Sequence, residues 1–346
     1  MENKLPVVFV GLRFGRVLLD RVMRGEEGGA VRVVGVCDLD LALARRVGSE
    51  LSLKVYESLD AVLADPAIPA VVLLTPPGGR AELVRRCISA GKDVMTTKPF
   101  ERDSAAAAAV LSEARRAGRV VHVNSPNPAS PDLAVIGNWI REHDLGRPVA
   151  ARVEMLASVR EEADGTWYDD PRRCPLAPMF RIGIYAINDV VRLFGPARQV
   201  FAQGERLRTG RPTPDQAQLA ISFHGGGMAS VLASFCCDDG SSYLNSLLLH
   251  CERGTIHRNL DPAMPWLAPD DYTARLSLVK ADGASRRVIE VREAIGRSGA
   301  YLWDEFAAAV RQRRPLGEAD CAVIVNGLRV VEAMAESERT GAAVKL

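Results

Sequence analysis

Along the first 120 residues, short apolar runs rich in β-branched side chains alternate with stretches where Ala, Leu, Arg and Glu recur at helical spacing. Runs this short and this continuously apolar suit strands buried on both faces of a parallel sheet. The pattern predicts strands over 5–10, 31–37, 70–74, 93–95 and 119–123, and helices over 17–24, 41–51, 59–64, 81–90 and 104–117. Gly91 and Gly118 each stand just past a helix, where the left-handed stop costs glycine least. Five strand–helix units on one sheet make a doubly wound α/β fold that receives ligands at the carboxyl ends of its strands.

The pattern changes after 124–131, a segment with three prolines that no regular element tolerates. A helix over 133–143 then leads into strands of alternating polarity over 149–158, 199–206, 217–223, 228–235, 242–251, 274–279 and 287–291. His224-Gly-Gly-Gly227 and Asp282-Gly-Ala-Ser285 have the composition of hairpin turns, so this second sheet is expected to be open and mostly antiparallel, with helices on one face. One helix, 182–194, interrupts it. Helices over 301–313 and 320–340 carry an apolar stripe suited to packing on the second domain or back across the junction. The expected division is therefore 1–123 and 124–346. The uncovered face of the second sheet, rich in Leu and Val, predicts a homodimer or homotetramer.

Composition narrows the function. With 346 residues, the chain has room for about two domains. Its 44 basic and 43 acidic residues leave no cationic excess to grip nucleic acid or an anionic membrane. No apolar run approaches the ~20 residues that span a bilayer, and the start lacks a secretory pattern, so a soluble, unprocessed protein acting on a small molecule is expected. Seven cysteines and five histidines are scattered without metal-ligand spacing, which predicts no metal site and fits a reducing cytoplasm.

Candidate chemistry begins where the first strand meets the first helix. Gly11-Leu-Arg-Phe-Gly15 puts glycines where a sharp turn brings a pyrophosphate to a helix N-terminus, with Arg13 and Phe14 inside the turn. The usual Gly-x-Gly-x-x-Gly is shortened here, and an ordinary strand-to-helix turn stays open as a reading. Asp38 closes the second strand, where a carboxylate accepts hydrogen bonds from a ribose diol and repels a 2′-phosphate. That favours NAD over NADP. In the competing reading Asp38 only caps the next helix, while Arg45 and Arg46 assist a phosphate. On the same rim, Thr75-Pro76-Pro77 offers a rigid wall for a nicotinamide, and Lys98, fixed by Pro99, follows a buried strand. By position alone Lys98 is equally well a surface lysine.

Together these residues resemble the Gfo/Idh/MocA family of nicotinamide-dependent oxidoreductases. The resemblance covers nearly the whole chain and rests on Gly11 to Gly15, Asp38, Thr75-Pro76, Gly91-Lys92, Lys98-Pro99, Leu145-Gly-Arg-Pro148, Arg181-Ile-Gly-Ile-Tyr-Ala-Ile-Asn188 and Glu336-Ser-Glu-Arg-Thr-Gly341. It implies a Rossmann domain joined to an open-sheet domain, with NAD, or NADP as the alternative, at the first. The departures fall in the chemistry. Thr97 stands where the family has the Glu of Glu-Lys-Pro, and Arg181, Tyr185 and Asn188 replace Asp, His and Asp of its catalytic helix. The glucose–fructose oxidoreductase branch is similar in that helix, which implies Tyr185 as acid/base assisted by Lys98. The Gly-rich turn looks like that of the thiazolinyl imine reductases.

Hydride transfer to a carbonyl needs a proton donor at the oxygen. Periodicity alone favours Tyr185 as a core aromatic among Ile182, Ile184, Ile187, Val190 and Val191; the resemblance turns that toward catalysis. Asn188 and Asp189, one turn on, are placed to bind a substrate hydroxyl. Arg181, with Arg80 at the nicotinamide rim, suits a carboxylate or phosphate; equally, Arg181 pairs with Asp169 or Asp170. Trp167 offers a stacking face for a sugar, or simply anchors its loop. The leading expectation is an oxidoreductase acting on a sugar, cyclitol or activated sugar derivative. An imine reductase and a non-catalytic dinucleotide-binding regulator are the alternatives.

Overall fold

The computed structural model describes residues 4–126, 130–238, 244–260, 273–295 and 300–346. They form two compact units, Met1–Asn127 with Tyr301–Ala322, and Pro128–Ala300 with Val323–Leu346.

The first unit runs β1 (Leu5–Val10), α1 (Phe14–Met23), β2 (Val31–Cys37), α2 (Leu41–Leu51), β3 (Lys54–Tyr56), α3 (Leu59–Ala64), β4 (Ala70–Leu73), α4 (Arg80–Ser89), β5 (Asp93–Thr96), α5 (Ser104–Arg116) and β6 (Val121–Val123). The six strands lie in the order β3-β2-β1-β4-β5-β6, every adjacent pair parallel. The winding reverses between β1 and β4, and such a switch opens a crevice at the strands' carboxyl ends. β4, β5 and β6 are buried throughout, which accounts for their lack of alternation. Side chains of Asp40, Ser58 and Asp103 cap α2, α3 and α5 by accepting from first-turn N–H groups. Gly91 (φ 74°) and Gly118 (φ 61°) adopt the expected left-handed stops. The sequence pattern misses β3, because three residues paired on the sheet edge with Gly35, Val36 and Cys37 carry no periodicity.

A single cut at 123/124 does not describe the units. The helix Trp303–Gln312 belongs to the first one. Its Trp303 ring stacks on Phe9 with centroids 6.1 Å apart, and Phe306 and Ala307 are fully buried in the same core. Burying side chains of this size contributes about 1.5–3 kcal/mol each, enough to fix the helix to its sheet.

The second unit runs α6 (Pro131–Glu142), β7 (Pro148–Leu156), α7 (Ile184–Phe194), β8 (Ala197–Glu205), β9 (Gln216–Phe223), β10 (Met228–Ser234), β11 (Leu244–Cys251), β12 (Gly254–Arg258), β13 (Thr273–Asp282) and β14 (Ser285–Ile295). With α8 assigned to Trp303–Gln312, the chain ends in α9 (Glu318–Thr340) and β15 (Val344–Lys345). The nine strands are ordered β14-β13-β12-β11-β7-β10-β9-β8-β15; β7 and β10 are parallel and the other pairs antiparallel. Alternation does its expected work: Ala151, Val153 and Met155 of β7 enter the core while Arg152 between them is exposed. Ile136 and Trp139 of α6, Ile187 and Val190 of α7, and Val330 and Met334 of α9 fill that core. Both glycine-containing hairpins form, with positive φ at Gly226, Gly227 and Gly283. The expected strand over 242–251 is described from Leu244; 242 and 243 lie outside the described residues. β12 and β15 are too short to show a pattern.

Candidate active site

Gly11 leaves β1 at φ 92°, a backbone state that L side chains rarely adopt. A Cβ there would lie 2.9 Å from both the carbonyl carbon and oxygen of Leu74, so the turn passes against the end of the β4 strand. Gly15, in the first turn of α1, is buried against the Leu74 side chain. The N-terminus of α1 has no side-chain cap and no acid in its first turn, leaving amides available to an anion. Arg13 and half-exposed Phe14 flank it. Asp38 then joins the two strand ends. Its Oδ2 accepts the Leu12 N–H at 2.6 Å and its Oδ1 the Asp40 N–H at 2.8 Å. A carboxylate has about four acceptor positions, so the same group retains capacity for a ribose diol. The cap of α2 is Asp40, not Asp38. These residues fit NAD: glycine where the backbone must approach, open amides for the pyrophosphate, an acid for the ribose.

Loops after β4 and β5 form the next part of the rim. Thr75-Pro76-Pro77 follows β4, and half-buried Lys98 follows β5 with its backbone N–H donated to Asn124 Oδ1 at 2.9 Å. Thr97 is buried and accepts the Tyr301 hydroxyl at 2.8 Å, so the position holds a structural hydrogen bond instead of a carboxylate. Arg80 requires a correction. Rather than facing a ligand, it is 1% exposed, and its guanidinium donates to the carbonyls of Thr75, Thr97, Pro99 and Phe100. Burial pushes its pKa down to about 10, partly offset by the nearby charge of Glu101.

In the second unit, α7 follows a π turn at Met179–Gly183. Tyr185 is half-buried at the edge of the core. Asn188 is buried against α9 at Gly327, where an added Cβ would come within 2.4 Å of its Oδ1. Asp189 is likewise turned inward: its carboxylate accepts from Arg258 at 2.9 Å, and Arg258 also donates to Asp132 and Asn245 at 2.8 and 2.6 Å. Both ends of each ion pair are essentially unexposed, which assigns Asp189 to the core and not to a substrate. Burial disfavours the Arg258 charge, but Asp189 and Asp132 outweigh it and raise its pKa.

Arg181 makes a two-point ion pair with Glu161 at 2.5 and 3.0 Å, a partner the sequence did not indicate, and its guanidinium lies over the rings of Tyr168 and Phe235 at 4.4 and 4.8 Å. Burial pushes the Glu161 carboxyl up, yet Arg181 and Arg211 hold it below its ordinary range. Asp169 belongs instead to Arg211, which bonds Glu161 and Asp164 as well. Trp167 opens a 3₁₀ turn and meets the Tyr168 ring at 4.1 Å and the Phe180 ring edge-on at 6.1 Å. Sequence reasoning missed Glu161, Arg211 and Arg258, since each finds its partners through folding and no local motif marks them. Among the described residues no His, Cys, Asp and Glu cluster could hold a metal, and no helix is long and apolar enough to cross a membrane.

Such a fold and turn define a two-unit chain whose first unit has the doubly wound architecture of dinucleotide-binding domains. The chain belongs to the GFO/IDH/MocA family: residues 5–125 match its oxidoreductase family, NAD-binding Rossmann fold, and 134–257 its C-terminal domain. An uncharacterized oxidoreductase of Schizosaccharomyces pombe is 28% identical over 170 residues, 49% of this chain and 46% of the relative. This chain thus spans about half the length of that relative and of a second one from the same yeast. Galactose 1-dehydrogenase of Pseudomonas fluorescens is 26% identical over 283 residues, covering 80% of this chain and 79% of its own. In fold, a Desulfitobacterium hafniense protein described as a putative NADPH-dependent oxidoreductase superposes with a TM-score of 0.80 at 18% identity, over 99% of this chain and 98% of its own.

Proposed function

We propose that the protein is an NAD-dependent oxidoreductase acting on a hydroxyl or carbonyl carbon of a neutral sugar or cyclitol. The observation that carries the cofactor reading is the Asp38 carboxylate held at the glycine turn by Leu12 N–H. An anion so fixed accepts from a free 2′-hydroxyl and repels a 2′-phosphate. The engagement of Arg80 and Arg181 supports a neutral substrate, because the two cations that would have suited a carboxylate or phosphate are held by carbonyls and by Glu161. The galactose dehydrogenase relative is in keeping with that class.

In this reading the α1 amides with Arg13 and Phe14 hold the pyrophosphate end, Asp38 the adenosine ribose, and Thr75, Pro76 and Lys98 the nicotinamide end. When bound, the nicotinamide supplies or accepts the hydride. Tyr185 gives the proton to the substrate oxygen during reduction and removes it during oxidation. The Lys98 ammonium assists by favouring the phenolate, and Trp167 offers a ring face to the sugar. The open face of the second sheet, with exposed Met228 and Val291, is the surface for a homodimer or homotetramer of a cytoplasmic enzyme.

The test is NADH formation or consumption over neutral sugars, inositols, sugar acids and cyclic imines. Turnover is expected with NAD and neutral polyols. Turnover confined to sugar acids or to imines would overturn the substrate class, and cofactor binding without turnover on any of them would leave a regulator as the better account.

A further inference from the structure

We propose that Arg80 and Glu101 form a reciprocal latch that positions the nicotinamide end of the cofactor site. The inference rests on the reading that nicotinamide lies against the loops after β4 and β5.

Those loops leave adjacent strands, since Leu73 of β4 pairs with Thr96 of β5. Beyond the pairing, strand-end carbonyls lose their sheet partners, and buried carbonyls need replacements. Arg80, the first residue of α4, provides them for both loops at once. One nitrogen donates to Thr75, and the other to Thr97 at 2.6 Å, Phe100 at 3.2 Å and Pro99. A planar guanidinium with five fixed donors spans such a set, whereas a lysine ammonium reaches fewer from one point.

The return half comes from the second loop. Glu101, itself buried, accepts from Gly79 N–H at 3.1 Å and Ala81 N–H at 2.7 Å, the residues on either side of Arg80. Gly79, the N-cap of α4, has no side chain of its own for that purpose. So α4 fixes the carbonyls of the β5 loop, and the β5 loop caps α4. Lys98 lies inside the latched segment. Tyr301 reinforces it from outside through its hydroxyl on Thr97. Arg80 and Glu101 are thus positioning residues: they set where Lys98 and the Thr75-Pro76-Pro77 wall stand without touching the cofactor themselves.

Binding of ADP-ribose, which lacks the nicotinamide ring, separates this role from general stabilisation. Dissociation constants for NADH and ADP-ribose are measured for the wild type, R80K and Y301F. For R80K the NADH constant is expected to rise by about tenfold, the scale of one charge-assisted hydrogen bond. For Y301F the rise is about threefold, as for a neutral bond. ADP-ribose affinity should stay within about twofold in both. Equal weakening of both ligands, or unchanged NADH binding, would overturn the latch. If R80K does not fold, Y301F decides alone by the same criteria. A wild type that binds neither ligand would instead remove the cofactor reading, and the latch with it.

Discussion

The Asp38 carboxylate receives the backbone N–H of Leu12 at 2.6 Å, so the end of β2 and the turn after β1 are set by one ion. Asp38→Ala removes both the clamp and the charge that repels a 2′-phosphate. We expect NADH affinity to fall by about tenfold or more and the preference over NADPH to collapse toward parity, as measured by titration with each cofactor. Retained discrimination would show that selectivity resides elsewhere.

Tyr185→Phe deletes one oxygen from a half-buried ring and leaves its packing against the core intact. Loss of a general acid lowers kcat by about 10²–10⁴-fold, while the NADH dissociation constant should stay unchanged. A variant that turns over within a few-fold of wild type would exclude the hydroxyl from the proton transfer.

The Arg258 group is buried with Asp132 and Asp189 as its counterions. Arg258→Met leaves two carboxylates without their cation in the core, an arrangement that costs about 3–5 kcal/mol. Urea unfolding followed by circular dichroism should show that loss, whereas removal of an exposed partner such as Arg172 should change stability by less than about 1 kcal/mol.

His122, on β6, packs its ring 5.8 Å from that of Phe306. Burial lowers its pKa to about 4, against the usual 6.5. Between those values the unfolded chain binds the proton and the native one does not, so stability rises with pH across the interval. The contribution is complete above about pH 6.5 and lost as pH falls toward 4, an effect of about 3 kcal/mol. Unfolding free energies of wild type and His122→Asn at pH 7 and pH 4 should converge by that amount as the solution is acidified.

Local pattern made much of this fold legible, and the reason lies in how each element is held. α2 and the two glycine hairpins depend on residues close in sequence, and β1 declares its burial by its own unbroken apolar run, so their signals survive in the linear chain. So does the Gly11 turn, whose steric demand falls on Gly11 itself. Charged side chains are different, because their identity says nothing about what surrounds them. Arg80 reads as a ligand-facing cation until four carbonyls, three of them 17 to 20 residues away, are found around it. Arg181 finds Glu161 20 residues upstream, while the nearer acid Asp169 is drawn to Arg211 across 42. A sequence separation of 126 between Asp132 and Arg258 hides the ion pair altogether.

The return of α8 to the first unit bears on how the protein is made. Trp303 donates its indole N–H to Glu27, 276 positions earlier, and covers Phe9 of the central strand. Contacts of such sequence separation form slowly, and synthesis delivers the early sheet long before its last covering helix. A nascent chain therefore carries an uncovered aromatic surface throughout translation of the second unit, and the domain begun first is finished only after residues beyond 300 have left the ribosome.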